Sequence, residues 1–465
     1  MDLAGKKVLV VGLARTGTAV ARFLLKRGSS LVIADDKPPD QLRRQIDHIL
    51  EAAGGDSTRV RLCLGGTSPL PCANLAAVVL SPGVPVTHPT VDQAIRAGVP
   101  VISEIELAFR FLRGKIAGIT GSNGKTTCTA LIGAILAKRH PKTFISGNIG
   151  TPLIDRVEED DESAWHAVEL SSFQLETIDR FRPDVAVMLN LTPDHLDRYG
   201  NMEQYVSAKE RIFMNQQPGD TAVLNADDAL VVSMGARVRA STLWFSRRQP
   251  VRTGVFVRAG KILALTPQAA GEVMPVGEIP LRGAHNVENV LACAAAGLAA
   301  GAPPDQIAEA VRQFQGVAHR LEYVDRICEI AFFNDSKATN AGAALKALEA
   351  FDESLVVIMG GRDKGADFSV LIPAAERRVK CAILLGEAAS KIREALGSRI
   401  SCIEVADMRE AVRAAFSRAA KGDVVLLAPA CASFDMFRDY EQRGEIFKSE
   451  VRKLKEDCGE PGTDH

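Results

Sequence analysis

The strongest chemical signal in the sequence is a glycine-rich loop that ends in a lysine and two threonines. It reads Gly118-Ile119-Thr120-Gly121-Ser122-Asn123-Gly124-Lys125-Thr126-Thr127, after an apolar strand-like run and before a helix-like run. Backbone N–H groups of such a loop can surround phosphate oxygens, while Lys125 neutralises phosphate charge and Thr126 holds Mg²⁺. Ile119 stands where the standard GxxxxGK[ST] motif has glycine, so a plain glycine-rich turn is the alternative. The succession of strand, loop, Lys-Thr pair and helix favours a nucleotide-phosphate site.

Three further residues carry groups that could act beside bound phosphates. Glu169 ends an apolar strand, where a carboxylate can coordinate Mg²⁺, and helix capping is the alternative. His195 follows another strand and lies between Asp194 and Asp197, which favours a ligand over a structural hydrogen-bonding histidine. Lys209 lies in a helical stretch, and its spacing alone indicates only a surface lysine.

Three polar loops in the last third of the chain each follow a strand and open a helix. They span residues 334–340, 360–365 and 429–435. Asp335 can accept a hydrogen bond from an amine and Lys337 can hold a carboxylate, whereas helix capping is the simpler interpretation. Because α/β proteins bind ligands at the carboxyl ends of parallel strands, three such loops predict a site. The pair His319-Arg320, just before them, is either an exposed hinge or a nucleotide clamp.

The first strand–helix turn, Gly12 to Gly17, is a weaker signal. A dinucleotide fingerprint needs GxGxxG, but Ala14 replaces the middle glycine and adds a methyl group where the backbone should touch pyrophosphate. Asp35 ends the next strand, where a ribose-binding carboxylate would lie. The turn therefore favours a nucleotide diphosphate over NAD, with a tight turn that binds nothing as the alternative.

Alternating strand and helix patterns must position these groups. Strand-like runs such as Lys7 to Gly12, Leu31 to Asp35 and Ala76 to Leu80 alternate with helical spacing, which is typical of βαβ units. The pattern restarts near residue 115 and again near residue 317, and residues 242–281 read as short antiparallel strands. We therefore predict an α/β protein with three domains, at 1–110, 111–316 and 317–465.

Composition excludes several classes of protein. Of 465 residues, 46% are hydrophobic and 24% charged, which is typical of a globular protein and excludes disorder, collagen and coiled coil. The net charge of −1 and 5% aromatic content disfavour nucleic-acid binding. No apolar run reaches the 18 residues that span a membrane, and the N-terminus reads as a strand. Nine scattered cysteines without a CxxC pair fit the reducing cytoplasm.

Taken together, these motifs resemble those of the Mur ligases of bacterial cell-wall synthesis, from Gly12 to about Lys448. The glycine-rich loop is common to these ligases and to folylpolyglutamate synthetases. Four segments are typical of the branch that adds D-glutamate: Glu169–Glu176 (ELSSFQLE), Asp194–Tyr199 (DHLDRY), Phe333–Asn340 (FNDSKATN) and Ala430–Asp435 (ACASFD).

The resemblance implies a fold and a reaction. The fold comprises a Rossmann-like N-terminal domain for the UDP-substrate, a central P-loop-type ATPase domain with a parallel sheet plus a small antiparallel sheet, and a C-terminal Rossmann-like domain for the amino acid. In the implied reaction ATP phosphorylates the carboxylate of UDP-N-acetylmuramoyl-L-alanine, and the amine of D-glutamate displaces phosphate from the acyl phosphate. We expect ATP, Mg²⁺ at two sites, and a cytoplasmic monomer.

The resemblance also implies residue roles. Lys125, Glu169, His195 and Lys209 would form the catalytic group, with Thr126, Glu169, His195 and a carbamylated Lys209 as metal ligands. The ATP-binding set is Gly121, Ser122, Asn123, Gly124, Lys125, Thr126, Thr127, Asn289, Arg320 and Asp335. The UDP-substrate set is Leu13, Ala14, Arg15, Thr16, Asp35, Ser81, Gly83, Asn148 and Gln174. The D-glutamate set is His195, Lys337, Thr339, Lys364, Ser433 and Phe434.

Two departures from the family pattern do not touch the residues of the chemical step. Ala14 replaces the usual glycine, and Val317-Ala318 stands where Leu-Pro is common before His319. The rival functions are an amide ligase for another amino acid, a nicotinamide dehydrogenase and a catalytically inactive nucleotide-binding regulator. The inactive regulator is disfavoured because the residues that the resemblance assigns to catalysis and metal binding are all present, at positions 125, 126, 169, 195 and 209.

Overall fold

The computed structural model describes residues 3–66, 74–363 and 365–459, with only the backbone described at Leu196, Asp197 and Ser398. The chain forms two compact units. The first comprises Met1–Glu278 and Val287–Arg312, and the second comprises Ile279–Asn286 and Gln313–His465. The division into three domains stays a prediction, since the first two sheets described below belong to one unit.

The first sheet of the first unit is fully parallel and has five strands in the order β3-β2-β1-β4-β5. Its strands are β1 (Lys7–Val11), β2 (Ser30–Asp35), β3 (Val60–Leu64), β4 (Leu75–Leu80) and β5 (Val101–Ser103). Its helices are α1 (Arg15–Lys26), α2 (Arg43–Ala52), α3 (Pro89–Arg96) and α4 (Glu104–Phe109). Four of the five residues of β1 are buried, as expected for a continuous apolar strand covered on both faces.

The second sheet has nine strands in the order β14-β13-β12-β11-β10-β9-β6-β8-β7. They are β6 (Lys115–Thr120), β7 (Thr143–Gly147), β8 (Trp165–Glu169), β9 (Val185–Met188), β10 (Thr221–Asn225), β11 (Ser241–Ser246), β12 (Gly254–Arg258), β13 (Lys261–Leu265) and β14 (Ala270–Pro275). The pairs β12–β13 and β13–β14 are antiparallel. The antiparallel pairing predicted for residues 242–281 is therefore present in β12 to β14, which extend the parallel sheet, whereas β11 is parallel to both of its neighbours.

Helices connect the strands of this second sheet. They are α5 (Lys125–Arg139), α6 (Ser172–Leu175), α7 (Leu196–Tyr199), α8 (Met202–Glu210) and α9 (Ala229–Met234), followed by α10 (Ala284–Ala299) and α11 (Pro304–Gln313). Gly301, just after α10, has a φ of +85°, a left-handed conformation that glycine tolerates and that is typical of a helix C-terminus.

The second unit contains a six-stranded sheet in the order β15-β16-β20-β17-β18-β19. Its strands are β15 (Glu322–Ile327), β16 (Ile330–Asn334), β17 (Leu355–Gly360), β18 (Val379–Leu385), β19 (Ser401–Glu404) and β20 (Val424–Leu427). Its helices are α12 (Ala341–Glu349), α13 (Ile372–Arg378), α14 (Ala389–Leu396), α15 (Met408–Arg418) and α16 (Tyr440–Asp457). Only β15 is antiparallel to its neighbour.

The parallel strands bring the predicted polar groups to the carboxyl edges of their sheets. The loop that begins at Gly121 leaves β6, and Glu169 is the last residue of β8, which pairs with β6. In the second unit, the polar loops leave β16, β17 and β20, which are adjacent strands. None of the helices in the described ranges is both long enough and apolar enough to cross a bilayer.

Candidate active site

The glycine-rich loop has the geometry that a phosphate site requires. Gly121 and Gly124 have φ values of +148° and +86°, conformations that favour glycine. A Cβ at Gly124 would lie 2.4 Å from Oδ1 of Asn289, a member of the predicted ATP-binding set. Nζ of Lys125 donates to the carbonyls of Gly121 and Ser122, at 2.9 and 2.8 Å. The ammonium group of Lys125 therefore lies against the backbone of the glycine-rich turn, at the N-terminus of α5.

The segment that follows strand β9 and a tyrosine of helix α8 brace this loop. Oγ of Ser122 donates to the carbonyl of Thr192 and accepts from its N–H, both at 2.9 Å, and lies 3.0 Å from the hydroxyl of Tyr205. The N–H of Asn123 donates to Oδ1 of Asn190 at 2.9 Å. Because both loop residues are fixed by polar partners outside the loop, the phosphate-binding backbone is preorganised.

Glu169 lies at the centre of a buried polar cluster. Its Oε2 accepts from Oγ1 of Thr126 at 2.8 Å, and its Oε1 accepts from Nδ2 of Asn148 at 2.9 Å. Gly147 makes this approach possible, since a Cβ there would lie 2.3 Å from the Glu169 carbonyl. The structure thus joins three residues from the predicted ATP, metal and UDP-substrate sets. The helix-capping interpretation of Glu169 finds no support in these contacts.

The oxygen donors of this cluster fit Mg²⁺. Mg²⁺ prefers hard oxygen ligands and keeps several waters or phosphate oxygens, so few protein ligands are needed. Thr126 and Glu169 supply a hydroxyl and a carboxylate within 2.8 Å of each other. Within the described ranges, no group of three or more His, Cys, Asp or Glu side chains forms a self-sufficient metal cage.

Lys209 is buried and is not a surface lysine. It is 2% exposed, and its Nζ donates to the Gly121 carbonyl at 2.9 Å and lies 3.5 Å from Oγ1 of Thr120. Burial, together with the smaller effect of the charge of Lys125, lowers the pKa of Lys209 to about 7, against the opposing effects of Asp194 and Glu169. A large fraction of this amine is therefore neutral near pH 7. Only the family resemblance indicated this role, because helical spacing does not reveal burial of a lysine.

His195 stands apart from the buried cluster. Its side chain is half exposed, its Nε2 lies 3.6 Å from Oδ2 of Asp194, and its ring centroid lies 4.9 Å from that of Phe173. Among the described residues, no hydrogen bond joins it to Glu169 or Lys209. Its φ of +52° is uncommon for a residue with a side chain. The histidine is thus held on the loop beside α7 and is accessible to a ligand.

The first sheet carries a separate cavity at its carboxyl edge. Gly12, Asp35 and Gly83 line it, and His88 and Val84 contribute further walls. Of the other predicted UDP-substrate residues, Arg15 and Ala14 are exposed on the adjoining turn, Thr16 is half-buried there, and Ser81 and Leu13 are buried.

Asp35 has a structural role in that turn as well as its place in the cavity wall. Its Oδ2 accepts from the N–H of Leu13 at 2.6 Å, and its Oδ1 accepts from the N–H of Lys37 at 2.9 Å. Ala14 has a φ of −78°, which any residue adopts, so the missing glycine causes no strain. Gly17 is the indispensable glycine, since a Cβ there would lie 1.9 Å from the Gly12 carbonyl.

Gln174 is used inside its own helix end. It is 1% exposed, and its Oε1 accepts from the N–H of Ser171 while its N–H donates to Oγ of Ser171, which completes a capping box. The structure therefore gives Gln174 a capping role at the N-terminus of α6, five residues after Glu169 in the sequence.

The second unit brings two predicted nucleotide contacts together. Asp335 accepts from the N–H of Leu321 through Oδ1 at 3.2 Å. Burial raises the pKa of Asp335 to about 6, against the opposing charge of Arg320. Nζ of Lys337, predicted to bind D-glutamate, lies 5.1 Å from the centroid of the Tyr440 ring.

The three polar loops of the second unit meet around Arg443, which sequence reasoning missed. Arg443 is 1% exposed, and its guanidinium donates to Oγ and the carbonyl of Ser336 and to the carbonyls of Gly360 and Cys431. The sequence holds a signal for it, because Arg443 shares the buried stripe of α16 with Phe447 and Val451 at helical spacing.

The remaining D-glutamate candidates lie on these loops. Ser433 is buried, Thr339 is half-buried, and the Phe434 side chain is 58% exposed. Lys364 lies outside the described residues. The loops at 360–363 and 429–435 are also joined directly, since the N–H of Arg362 donates to the Ala432 carbonyl at 2.8 Å. The structure therefore supports one multi-loop site in the second unit.

Three models of known protein families match this chain in succession. Residues 6–103 match the N-terminal domain described as Mur ligase MurD-like, residues 119–297 match the Mur ligase middle domain, and residues 319–431 match the glutamate ligase domain of Mur ligases. The two later models cover the phosphate loop and most of the three polar loops.

Curated relatives are similar along nearly the whole chain. A protein of Koribacter versatilis (strain Ellin345), named UDP-N-acetylmuramoylalanine--D-glutamate ligase, is 47% identical over 98% of this chain and 99% of its own length. A protein of the same name from Pelotomaculum thermopropionicum (strain DSM 13744 / JCM 10971 / SI) is 46% identical over the same shares.

Solved structures of lower identity show the same fold. UDP-N-acetylmuramate-alanine ligase MurC of Thermotoga maritima aligns with a TM-score of 0.60 at 18% identity, over 97% of this chain and 100% of that one. A pseudomurein peptide ligase type C of Methanothermus fervidus aligns with a TM-score of 0.59 at 19% identity, over the same shares. With this fold, and with relatives of 46–47% identity along almost all of its length, the chain belongs to the Mur ligase family.

Proposed function

We propose that this chain is the ATP-dependent ligase that joins D-glutamate to UDP-N-acetylmuramoyl-L-alanine in the cytoplasmic stage of peptidoglycan synthesis. The observation that carries the proposal is the cluster of Lys125, Thr126, Glu169 and Lys209 around one phosphate-type loop. The names of the close relatives and the D-glutamate-branch segments support the choice of amino acid. A monomer that contacts neither nucleic acid nor a membrane is part of the same proposal.

The reaction needs a leaving group, because a carboxylate is a poor electrophile. One carboxylate oxygen of the muramoyl-alanine substrate bonds to the γ-phosphorus of ATP, the bond to the bridging oxygen breaks, and ADP leaves. The nitrogen of D-glutamate then bonds to the carbonyl carbon of the acyl phosphate, phosphate leaves, and the nitrogen gives up a proton. The protein supplies position and charge neutralisation.

The residues of the first unit divide this work. The N–H groups of the loop and the ammonium of Lys125 would hold phosphate oxygens, and Asn289 would contact adenine. Thr126 and Glu169 would hold Mg²⁺, which neutralises charge on the transferred phosphoryl group. His195 would bind a second Mg²⁺ near the acyl phosphate. The UDP group would occupy the cavity lined by Asp35, with Asn148 nearer the muramoyl end.

Lys209 would act as a carbamate. Its neutral amine can bond to the carbon of CO₂ and lose a proton, which converts the neutral amine into an anion with oxygen donors. Such an anion next to Glu169 would help to hold Mg²⁺. The low pKa of about 7 supports this step, because only the neutral amine is nucleophilic.

The second unit would bind D-glutamate. Lys337 and Lys364 would pair with its carboxylates, the hydroxyls of Thr339 and Ser433 would orient it, and Phe434 would cover it. Arg320 and Asp335 would contact the nucleotide.

An amide-synthesis assay tests the proposal. Purified enzyme with ATP, Mg²⁺ and UDP-N-acetylmuramoyl-L-alanine is given D-glutamate, L-glutamate, L-lysine or diaminopimelate in parallel, and ADP and peptide product are measured. We expect product with D-glutamate alone. Product with only another amino acid would refute the proposed acceptor, and hydride transfer to a nicotinamide would refute the reaction class.

A further inference from the structure

Arg198 connects the loop of His195 to the rim of the cavity in the first sheet. Its Nη2 donates to Oε2 of Glu176 at 2.8 Å, and its guanidinium carbon lies 4.0 Å from the centroid of the Phe173 ring. Nη1 donates to the carbonyl of Pro82 and Nη2 also donates to the carbonyl of Val84, both at a long distance of 3.4 Å. One side chain therefore contacts both the second sheet's helix α6 region and the turn after β4.

The turn that Arg198 contacts belongs to the cavity wall. Gly83 and Val84 line the cavity, and the Ser81 hydroxyl ties the start of the same turn to the Gly12 carbonyl at 2.7 Å. A ligand that fills the cavity therefore contacts the same turn whose carbonyls accept hydrogen bonds from Arg198. The position of the turn and the position of the guanidinium are therefore linked.

Arg198 also restrains His195, the residue whose φ is positive. The backbone N–H of Arg198 donates to the carbonyl of His195 at 3.0 Å. The His195 ring packs on the same Phe173 ring that the guanidinium covers. A positive φ at a histidine persists only when the surroundings hold it, and these two contacts are such a restraint.

Only arginine fits this arrangement. The planar guanidinium donates to the Glu176 carboxylate and to two backbone carbonyls while its face stacks on the Phe173 ring. The single ammonium group of a lysine does not reproduce this set of contacts. The ion pair is also largely shielded, with 17% and 12% of the Arg198 and Glu176 side chains exposed, so it is screened less than a surface pair.

We propose that Arg198 is a positioning residue that couples occupation of the N-terminal cavity to the placement of His195. The inference rests on the proposed function, since it takes the UDP group as the cavity's ligand and His195 as a residue at the reacting phosphoryl group. Binding of the nucleotide end of the substrate then fixes the turn at 81–84, and Arg198 transmits this order to the loop at 194–199.

The test compares Arg198→Lys with the matched control Arg312→Lys, which changes an arginine of an exposed ion pair with Glu278 in the same unit. Steady-state kinetics give kcat and KM for each substrate. Diethyl pyrocarbonate modification of His195, read by peptide mass spectrometry with and without UDP, reports its placement. We expect Arg198→Lys to lower kcat about 10- to 100-fold, with KM for ATP unchanged. UDP should alter the modification rate of His195 in the wild type and in Arg312→Lys, but not in Arg198→Lys.

Three results would overturn the inference. They are a wild-type kcat in Arg198→Lys, an unchanged response of His195 to UDP in that variant, and a raised KM for the UDP substrate as its only defect. If Arg198→Lys does not fold, Glu176→Gln replaces it, because this variant weakens the ion pair with Arg198 while keeping the arginine. The same three results would then overturn the inference. An inactive wild type, or one that does not bind UDP, would refute the proposed function and is distinguishable from these results.

Discussion

The ammonium group of Lys209 has lost almost all contact with water and has a carbonyl and a hydroxyl oxygen as its hydrogen-bond acceptors. Desolvation disfavours the charged form of an amine, and the neighbouring charge of Lys125 acts in the same direction. The neutral fraction of Lys209 therefore changes over the physiological pH range, whereas an ordinary lysine remains protonated there.

Carbamate formation on Lys209 should follow this titration. Below the pKa of about 7 the amine is protonated and unreactive towards CO₂, so occupancy should fall as the pH decreases from 8 to 6. The expected measurement is a carbamate carbon signal in the ¹³C NMR spectrum with saturating labelled bicarbonate, present at pH 8 and strongly reduced at pH 6. Activity should follow the same profile.

Two variants control this experiment. Lys209→Arg should show no carbamate, since a guanidinium stays charged, and Lys209→Ala should be inactive but partly restored by a short carboxylate such as acetate. A bare amine at pH 8 with saturating bicarbonate, or the same signal in Lys209→Arg, would contradict the assignment.

At the scale of the element, the loop between β6 and α5 depends on the backbone of Gly124. A substitution to alanine would meet two obstacles, a φ of +86° and a Cβ only 2.4 Å from Oδ1 of Asn289. The left-handed conformation alone costs an alanine about 1–2 kcal/mol. The phosphate-binding backbone and the proposed adenine contact would both shift.

Gly124→Ala should therefore raise KM for ATP at least about tenfold and lower kcat, while the chain remains folded, since about 1–2 kcal/mol is a modest fraction of a typical stability. Gly219→Ala is the matched control, because a Cβ at Gly219 meets nothing within 4 Å and its φ is unexceptional. Steady-state kinetics and thermal unfolding of the two variants give the comparison. An unchanged KM for ATP in Gly124→Ala would contradict the role of this loop.

The elements also show which features local sequence can predict. Buried strands such as β1, β6 and β17 have continuous apolar runs, and their polar ends were predicted with them. Four strands that lie at the edges of their sheets were not predicted, namely β3, β5, β15 and β19. An edge strand has less apolar surface to bury, and β3 has no fully buried residue. The short buried strand β10 was also missed, although its neighbours were found.

Residues of the site were predictable where a motif carries them and hidden where tertiary contacts create the role. The phosphate loop and Glu169 follow from strand-end chemistry. Burial of Lys209, the contact of Arg443 with Ser336 and the reach of Arg198 to a distant turn depend on contacts between 88 and 116 residues apart in sequence. No local pattern encodes such distances.

At the scale of the whole molecule, each of the three sheets presents polar groups at its carboxyl edge, and we propose one ligand for each. Hydrogen exchange monitored by mass spectrometry tests this assignment across the full chain. UDP alone should slow exchange at residues 12–17 and 81–85. A non-hydrolysable ATP analogue with Mg²⁺ should slow exchange at residues 119–128, because the loop N–H groups would donate to phosphate oxygens.

D-glutamate, added last to the complex with both nucleotides, should slow exchange at residues 334–340 and 430–435 of the second unit. Its carboxylates would draw together loops that Arg443 already joins through neutral acceptors, so local opening should become rarer. L-glutamate at the same concentration is the control and should leave these segments unchanged. Protection by D-glutamate that is confined to the first unit would refute the assignment of the amino-acid site, while leaving the two nucleotide sites to be judged by their own segments.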